Sequence, residues 1–277
     1  ITIPENFLSV GSNKVEVISG KHVFTKNLIN WNVEKNPATP YETIDLTSYF
    51  NDKVTRIFKN KYLSPRSPYP TLSIPTQGIG DWCSFAETEE IDDSGLRAKA
   101  GDSGKIILPQ QIPFATPGNP EASNILFTSR WDNYPHAASV PLSGKAKQVY
   151  LLMAGSAHHM QSRFDNAVVT VEYADGTSEK LVLRNPETWW PIEQDYYNNG
   201  LAFDPGVSQP LRVYLKTGEV NPQTYPVRNK NKTNKIEGGA ATVLDLPLNR
   251  AKELKQLTLE TLANDVVIGL MAVTLER

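Results

Sequence analysis

Two apolar runs constrain most strongly what this chain can fold into. Val266–Leu275 reads VVIGLMAVTL, and Lys147–Ala154 reads KQVYLLMA. Both fall far short of the roughly 18 residues a membrane helix needs. A strand with one wet face would alternate apolar and polar side chains, and these runs do not. They predict central strands of a sandwich, buried on both sides.

The remaining pattern agrees. Val168–Tyr173 and Glu179–Arg184 flank Ala174-Asp175-Gly176-Thr177, and Asp-Gly between two β-rich runs is the strongest short hairpin signal. Lys14–Ser19 and His22–Asn27 read as strands joined at Gly20-Lys21. Lys105–Leu108, Asn124–Thr128, Leu211–Leu215, Ala241–Leu246 and Gln256–Leu262 read as further strands. Twenty prolines and seventeen glycines are scattered between such segments, the punctuation of a sandwich or barrel. Thr47–Lys61 is the best helix, with Phe50, Val54, Ile57 and Phe58 on one stripe, Thr47 or Ser48 as cap and Pro65 past its end. Ile91–Ala100 reads as a loop, Ser64–Gly80 as a Pro-rich irregular crossing, and Thr217–Gly239 as a polar, basic loop. The expected fold is an all-β jelly-roll sandwich with one or two short helices. It spans residues 41–277, and residues 1–40 supply N-terminal strands and a connection to a preceding region.

Composition narrows the function classes. A chain of 277 residues can bury a large core without staples. The single cysteine, Cys83, rules out an intramolecular disulfide framework and a multi-cysteine metal site. A net charge of −2 gives no basic footprint for nucleic acid. The chain opens ITIPENFLSV, with neither an initiator Met nor a signal-peptide pattern, which predicts a mature protein or a fragment of a longer one.

Ring-bearing side chains concentrate between Met153 and Tyr197. His158, His159 and Arg163 precede the hairpin; Trp189, Trp190, Tyr196 and Tyr197 follow it. Flat aromatic faces beside planar hydrogen-bonding groups suit a sugar, whose C–H faces stack while its hydroxyls need partners. Adjacent histidines on a strand point to opposite faces and no third ligand stands nearby, so the pair reads as one backbone-bonding His and one ligand-facing His, with no metal. Arg163 and Arg184 bracket the hairpin, either as clamps for hydroxyls or a carboxylate, or as structural partners of Asp165 or Glu187. On a strand, Trp189 and Trp190 would place one ring in the core and one outward, where it meets a sugar or a neighbouring domain. Trp131 to His136 (WDNYPH) forms a second aromatic-polar cluster that either completes the site or pins a loop, and Gln77–Trp82 a third, read as structural. The expected ligand face is Trp131, His136, His158, His159, Arg163, Trp189, Trp190 and Tyr196.

Glycoside hydrolysis would need two carboxylates about 5–10 Å apart. Asp92, Asp93, Glu187, Glu193 and Asp195 are available, but GxSxG, HExxH, P-loop and GxGxxG motifs are all absent. A free-standing hydrolase or lyase would rest on Arg163, a His, and Glu187 or Glu193. No cofactor is expected; an acidic loop such as Ile91–Gly95 could hold a structural calcium ion, though loops of that kind are commonly solvated turns.

Several stretches together resemble a known family: Tyr49–Tyr62, then LSPRSPYPTLSIPTQGIGDW, IDDSGLR, RWDNYPHA, YLLMAGSAHHMQSRFDN and NPETWWPIEQDYY. From roughly Tyr41 to Arg277, this set resembles the C-terminal region of large gut-bacterial proteins catalogued as domain of unknown function 4450. Ile112–Phe114, a strand, a Pro-rich turn and then VYLLMAGS are also similar to galactose-binding-like jelly rolls attached to glycoside hydrolases. The resemblance implies an exported, periplasmic or extracellular, glycosidase-like protein whose catalysis resides elsewhere. This chain would then be a carbohydrate-binding or accessory module, or a structural domain packed against a catalytic one. No catalytic residue is carried over.

Overall fold

The computed structural model describes residues 11–30, 40–60, 62, 90–157, 163–185, 187–194, 210–221, 236–264 and 266–277. In chain order the strands are β1 (Gly11–Ser19), β2 (His22–Asn30), β3 (Tyr41–Ile44), β4 (Lys105–Ile107), β5 (Pro113–Ala115), β6 (Leu126–Ser129) and β7 (Ala137–Pro141). They continue with β8 (Gln148–Ala157), β9 (Ala167–Tyr173), β10 (Ser178–Leu183), β11 (Arg212–Tyr214), β12 (Val220–Asn221), β13 (Ala240–Pro247), β14 (Leu254–Thr261) and β15 (Val266–Glu276). One short helix, α1 (Ser94–Ala100), joins them. The protein is an all-β sandwich, and every pairing between these strands is antiparallel.

A front sheet runs β10-β9-β14-β7; a larger sheet runs β12-β11-β13-β8-β15-β3, with β6 also on β15. The predicted hairpin is β9–β10, paired from Ala167↔Leu183 to Glu172↔Ser178. Its turn works as the Asp-Gly signal requires: Gly176 sits at φ 84° and Asp175 Oδ1 accepts the Thr177 N–H at 2.9 Å. The front sheet alternates buried and half-exposed residues, so its outer face is wet. Ser139, Thr258, Thr170 and Lys180 lie in register across that outer face, one on each strand.

Both apolar runs lie in central strands of the large sheet, β8 and β15, which are buried at every position. From β8, Val149, Leu151 and Met153 point into a front core shared with Val169, Val171, Leu257 and Leu259. Tyr150, Leu152 and Ala154 point the other way, into a back core with Ile57, Leu96, Leu108 and Phe114. Burying a side chain of that size contributes about 1.5–3 kcal/mol, so neither face of β8 could be left wet. β15 changes parity at a bulge: Leu270 pairs with Met153 but Ala272 with Leu152, leaving Met271 as the extra residue. Ile268 and Leu270 before the bulge, and Val273 and Leu275 after it, therefore all reach the front core.

The back core is roofed by irregular segments, and here the structure departs from the sequence expectations. Of the expected helix, residues 47–60 form no α-helix; a 3-10 turn at Val54–Arg56 lies between other turns. Asp52 bridges to Ile125, its carbonyl accepting the N–H groups of Asn124 and Ile125, which holds residue 52 extended where the helix would run. The apolar stripe still does its job, since Val54, Ile57 and Phe58 are buried in the back core. Conversely, part of the expected Ile91–Ala100 loop is α1. Buried Arg97 fixes it, donating from Nε to Asp93 Oδ2 at 2.8 Å and from its other nitrogens to the carbonyls of Pro117, Asn119 and Ala122. Asn124 Nδ2 donates to the same Asp93 oxygen at 2.8 Å.

β1 and β2 form a separate two-stranded ribbon, turning at Gly20 (φ 60°). Among the described residues no helix is long and apolar enough to cross a membrane. The Ser64–Gly80 crossing and the centre of the Thr217–Gly239 loop lie outside the described residues.

Candidate functional site

Residues Arg163 to Asn166 lead into β9, and beside them a groove of about 570 Å³ opens at one end of the sandwich. Its walls are Arg163, Phe164, Asp165 and Arg184 on one side and Leu262 to Asn264, just past β14, on the other. Asn166, fully buried beneath it, ties these segments together. Its backbone oxygen accepts the N–H groups of Leu262 and Ala263, and its own N–H donates to Leu183. Its side-chain Oδ1 accepts Trp189 Nε1 at 3.0 Å and the Asn185 N–H at 3.3 Å.

The groove wall is an ion-pair chain. Arg163 Nη1 donates to Glu187 Oε1 at 3.1 Å, Arg184 Nη1 lies 3.5 Å from Glu187 Oε2, and Arg184 Nε donates to Asp165 Oδ1 at 2.8 Å. Asp165, the main cause, and Glu187 hold the Arg184 guanidinium charged above its ordinary range. Of the two sequence readings for these arginines, the pairing with Asp165 and Glu187 is present, and it lies in the wall of a groove. Arg163 itself sits at φ 63°, a left-handed conformation that costs a non-glycine residue on the order of 1–3 kcal/mol. Its N–H donates to the Asn185 carbonyl at 2.6 Å.

Phe164 projects from this wall and is 62% exposed. Sequence reasoning missed it. The signal was a large apolar residue in the tetrapeptide Arg-Phe-Asp-Asn, just ahead of the alternation that starts at Ala167. Leu262 and Asn264 were equally unmarked, because they follow a strand whose turn carries no motif.

The tryptophans are placed otherwise than expected. Trp189 and Trp190 are both buried, at 3% and 2% exposure, so neither presents an outward ring. The alternation rule needs a strand, and residues 189–193 form none. They run as a strap held by side-chain and backbone bonds. Arg212 donates to the carbonyls of Pro191, Gln194 and Ala240 at 2.8, 2.9 and 2.9 Å, and the Ile192 N–H donates to Gly155 at 2.7 Å. Trp189 thus supports the groove from below, through Asn166.

Trp131 is also buried, in the back core, with its ring 5.2 Å from that of Tyr62. Tyr134 packs 5.0 Å from Phe127 and donates from its hydroxyl to Asp52 Oδ2 at 2.6 Å. Of the two readings of this cluster, pinning a loop is the one the geometry carries. His136 is exposed, 3.3 Å from Arg130 Nη1, which in turn donates to the Leu262 carbonyl at 3.4 Å. It therefore flanks the groove at one remove. His158, His159, Tyr196, Tyr197 and the Gln77–Trp82 cluster lie outside the described residues.

Of the acids considered for hydrolysis, Asp93 is engaged by Arg97 and Glu187 by the two arginines. Asp92 accepts the Ser94 N–H at 2.9 Å, and its hydrogen bonds to Ser94 hold its carboxyl below the usual range. Glu193 is buried and accepts the Ser156 hydroxyl at 2.9 Å; Asp195 is not among the described residues. Among the described residues no three His, Cys, Asp or Glu side chains converge to hold a metal ion. A second groove, of about 560 Å³, has walls including Thr55, Lys59, Glu90 and Lys216, and the described residues lining it include no aromatic. No protein-family model matches this chain, and no curated protein matches it.

Proposed function

We propose that this chain is a carbohydrate-binding, accessory β-sandwich module of a secreted carbohydrate-active protein, without catalysis of its own. The observation that carries this reading is the exposed Phe164 ring beside the Arg163–Glu187–Arg184–Asp165 chain. An aromatic face takes the C–H side of a pyranose, and fixed guanidinium and carboxylate groups offer donors and acceptors to its hydroxyls. The two positive charges are answered by two negative ones, which favours a neutral, polyhydroxylated ligand over a uronate or sulfated one. The resemblance to galactose-binding-like jelly rolls supports the same reading.

The test is binding of the intact chain to a broad glycan array, followed by calorimetry with Phe164→Ala and Arg184→Ala. Selective binding of a neutral glycan that weakens tenfold or more in each folded variant is expected. Unchanged affinity in both variants, or silence from the folded wild-type chain, overturns the proposal.

A second reading is a structural domain that packs against a separate catalytic domain. Ile18 and Val23 favour it, facing each other across the β1–β2 ribbon at 69% and 58% exposure. A two-stranded ribbon is marginal alone and gains from a partner. Ile18→Ser with Val23→Ser should then abolish association in trans with the catalytic part while leaving glycan binding intact.

A further inference from the structure

We infer that the back face of the large sheet is latched by two buried carboxyl groups, one near each end of β8, Asp245 bonded to Gln148 and Glu193 bonded to Ser156, so that mild acid tightens this sheet and alkali loosens it. The inference does not depend on what the groove binds.

Asp245 stands opposite Tyr150 in the β13–β8 register, on the face where Val243 and Ala241 enter the back core. It is 1% exposed. Its Oδ2 accepts the Gln148 side-chain amide, and its Oδ1 has no hydrogen-bond partner among the described residues. The titratable neighbours on β8 and β15 are directed elsewhere. Tyr150 donates to Glu276 Oε2 at 3.1 Å, and Lys147 pairs with Glu276. β1 packs against β13 and brings Glu16, another acid; β11 pairs with β13 and brings Arg212, bonded to backbone carbonyls. β10 faces β13 across the front core with Leu181 and Leu183. Among the described residues, no cation is therefore aimed at Asp245.

At the other end, Glu193 closes the strap and is 3% exposed. Ser156 of β8 donates to Oε1, while Oε2 has no partner among the described residues. From β15, Val267 stands opposite Ser156 and is apolar. From β11, the Arg212 guanidinium pulls toward ionisation, but its terminal nitrogens already serve three carbonyls. Ile236 donates its N–H to the Glu193 carbonyl, and the next residue, Glu237, is exposed and paired with Lys216.

An ionised carboxylate buried without a full set of partners is expensive. Burial pushes both groups up to about 7, from ordinary values of 3.8 for Asp245 and 4.5 for Glu193. The folded state thus keeps protons that the opened state releases. The associated stability is fully present below the ordinary values and is lost as pH rises toward about 7. Within that window each carboxyl changes the closed-to-open ratio by up to about tenfold per pH unit. Exposed acids with lowered values, such as Asp45 and Asp175, act in the opposite direction and at lower pH.

The test is urea unfolding of the intact chain between pH 5 and pH 7.5, with Glu193→Gln, Asp245→Asn and the double variant. Wild type should lose stability across this range, and the double variant should be flat and no less stable than wild type at pH 7.5. An unchanged pH slope in the double variant, or a wild type that gains stability toward pH 7, overturns the latch. Hydrogen exchange locates the effect: protection of β8 and β13 falling before that of β9 and β14 supports it, and an equal fall in both sheets overturns it. If a variant does not fold, carbon-13 titration of wild-type carboxyls decides. Two resonances moving near pH 7 support the latch, and none moving above pH 5.5 overturns it.

Discussion

Asn166 has no charge and no exposed surface, yet three chain segments meet at it. Asn166→Ala would leave the buried Trp189 Nε1 and the Asn185 N–H without their acceptor, at about 1–3 kcal/mol for each orphaned donor. Chemical denaturation should show that loss, and Asn166→Asp, which keeps the acceptor oxygen, should recover part of it. Arg97 makes a similar case among charged residues. Arg97→Ala removes four bonds and leaves the buried Asp93 carboxylate with Asn124 but without its counter-charge, and a loss of about 3–5 kcal/mol in unfolding free energy is expected. Neither role could be seen in sequence. Asn and Arg are ordinary surface residues by composition, and nothing local says that Asn166 will accept from a buried tryptophan 23 positions on. The Trp189–Trp190 pair was legible as important but not as buried, because its direction depends on a strap held by Arg212 rather than on strand periodicity.

At the scale of elements, legibility followed how local the determining force was. The β9–β10 hairpin was readable because its turn closes within four residues. Gly176 takes a positive φ there, and a Cβ added to it would meet nothing within 4 Å. Gly176→Ala should therefore cost only backbone strain, about 1 kcal/mol in a thermal melt. Gly155 contrasts with it, since a Cβ there would approach the Val267 carbonyl oxygen to 2.6 Å, and backbone cannot step aside as a side chain can. Gly155→Ala should cost more than Gly176→Ala, by about 1–3 kcal/mol of overpacking. The 47–61 segment misled because its apolar spacing is helical while its backbone bonds go to Ile125, far along the chain. α1 was hidden for the converse reason: Asp-Asp-Ser-Gly reads as a turn, and what makes a helix of the next residues is Arg97 reaching carbonyls 20 to 25 positions away.

For the whole molecule, the governing fact is that the large sheet is covered on both faces. Leu151 and Leu152 are neighbours in sequence, yet one belongs to the front core and the other to the back. Each change to Ala should destabilise by about 2–5 kcal/mol. Because they share no packing partners, the double variant should lose close to the sum, measurable as a double-mutant cycle with little coupling. The buried runs made the front sandwich legible. The roof over the back core was not, since it is built from turns and short pieces whose only common property is where their apolar side chains end up.

The wet outer face of the front sheet offers a ruler. Ser139, Thr258, Thr170 and Lys180 occupy successive strands in register, and neighbouring strands lie about 4.8 Å apart. Pairs of spin labels or fluorophores attached along that row would sit at graded backbone separations up to roughly 14 Å, three such steps. The row is built from β7, β9, β10 and β14, whose inner faces lock the spacing. It gives a fixed internal distance standard against which movement of any other labelled point could be read by spectroscopy.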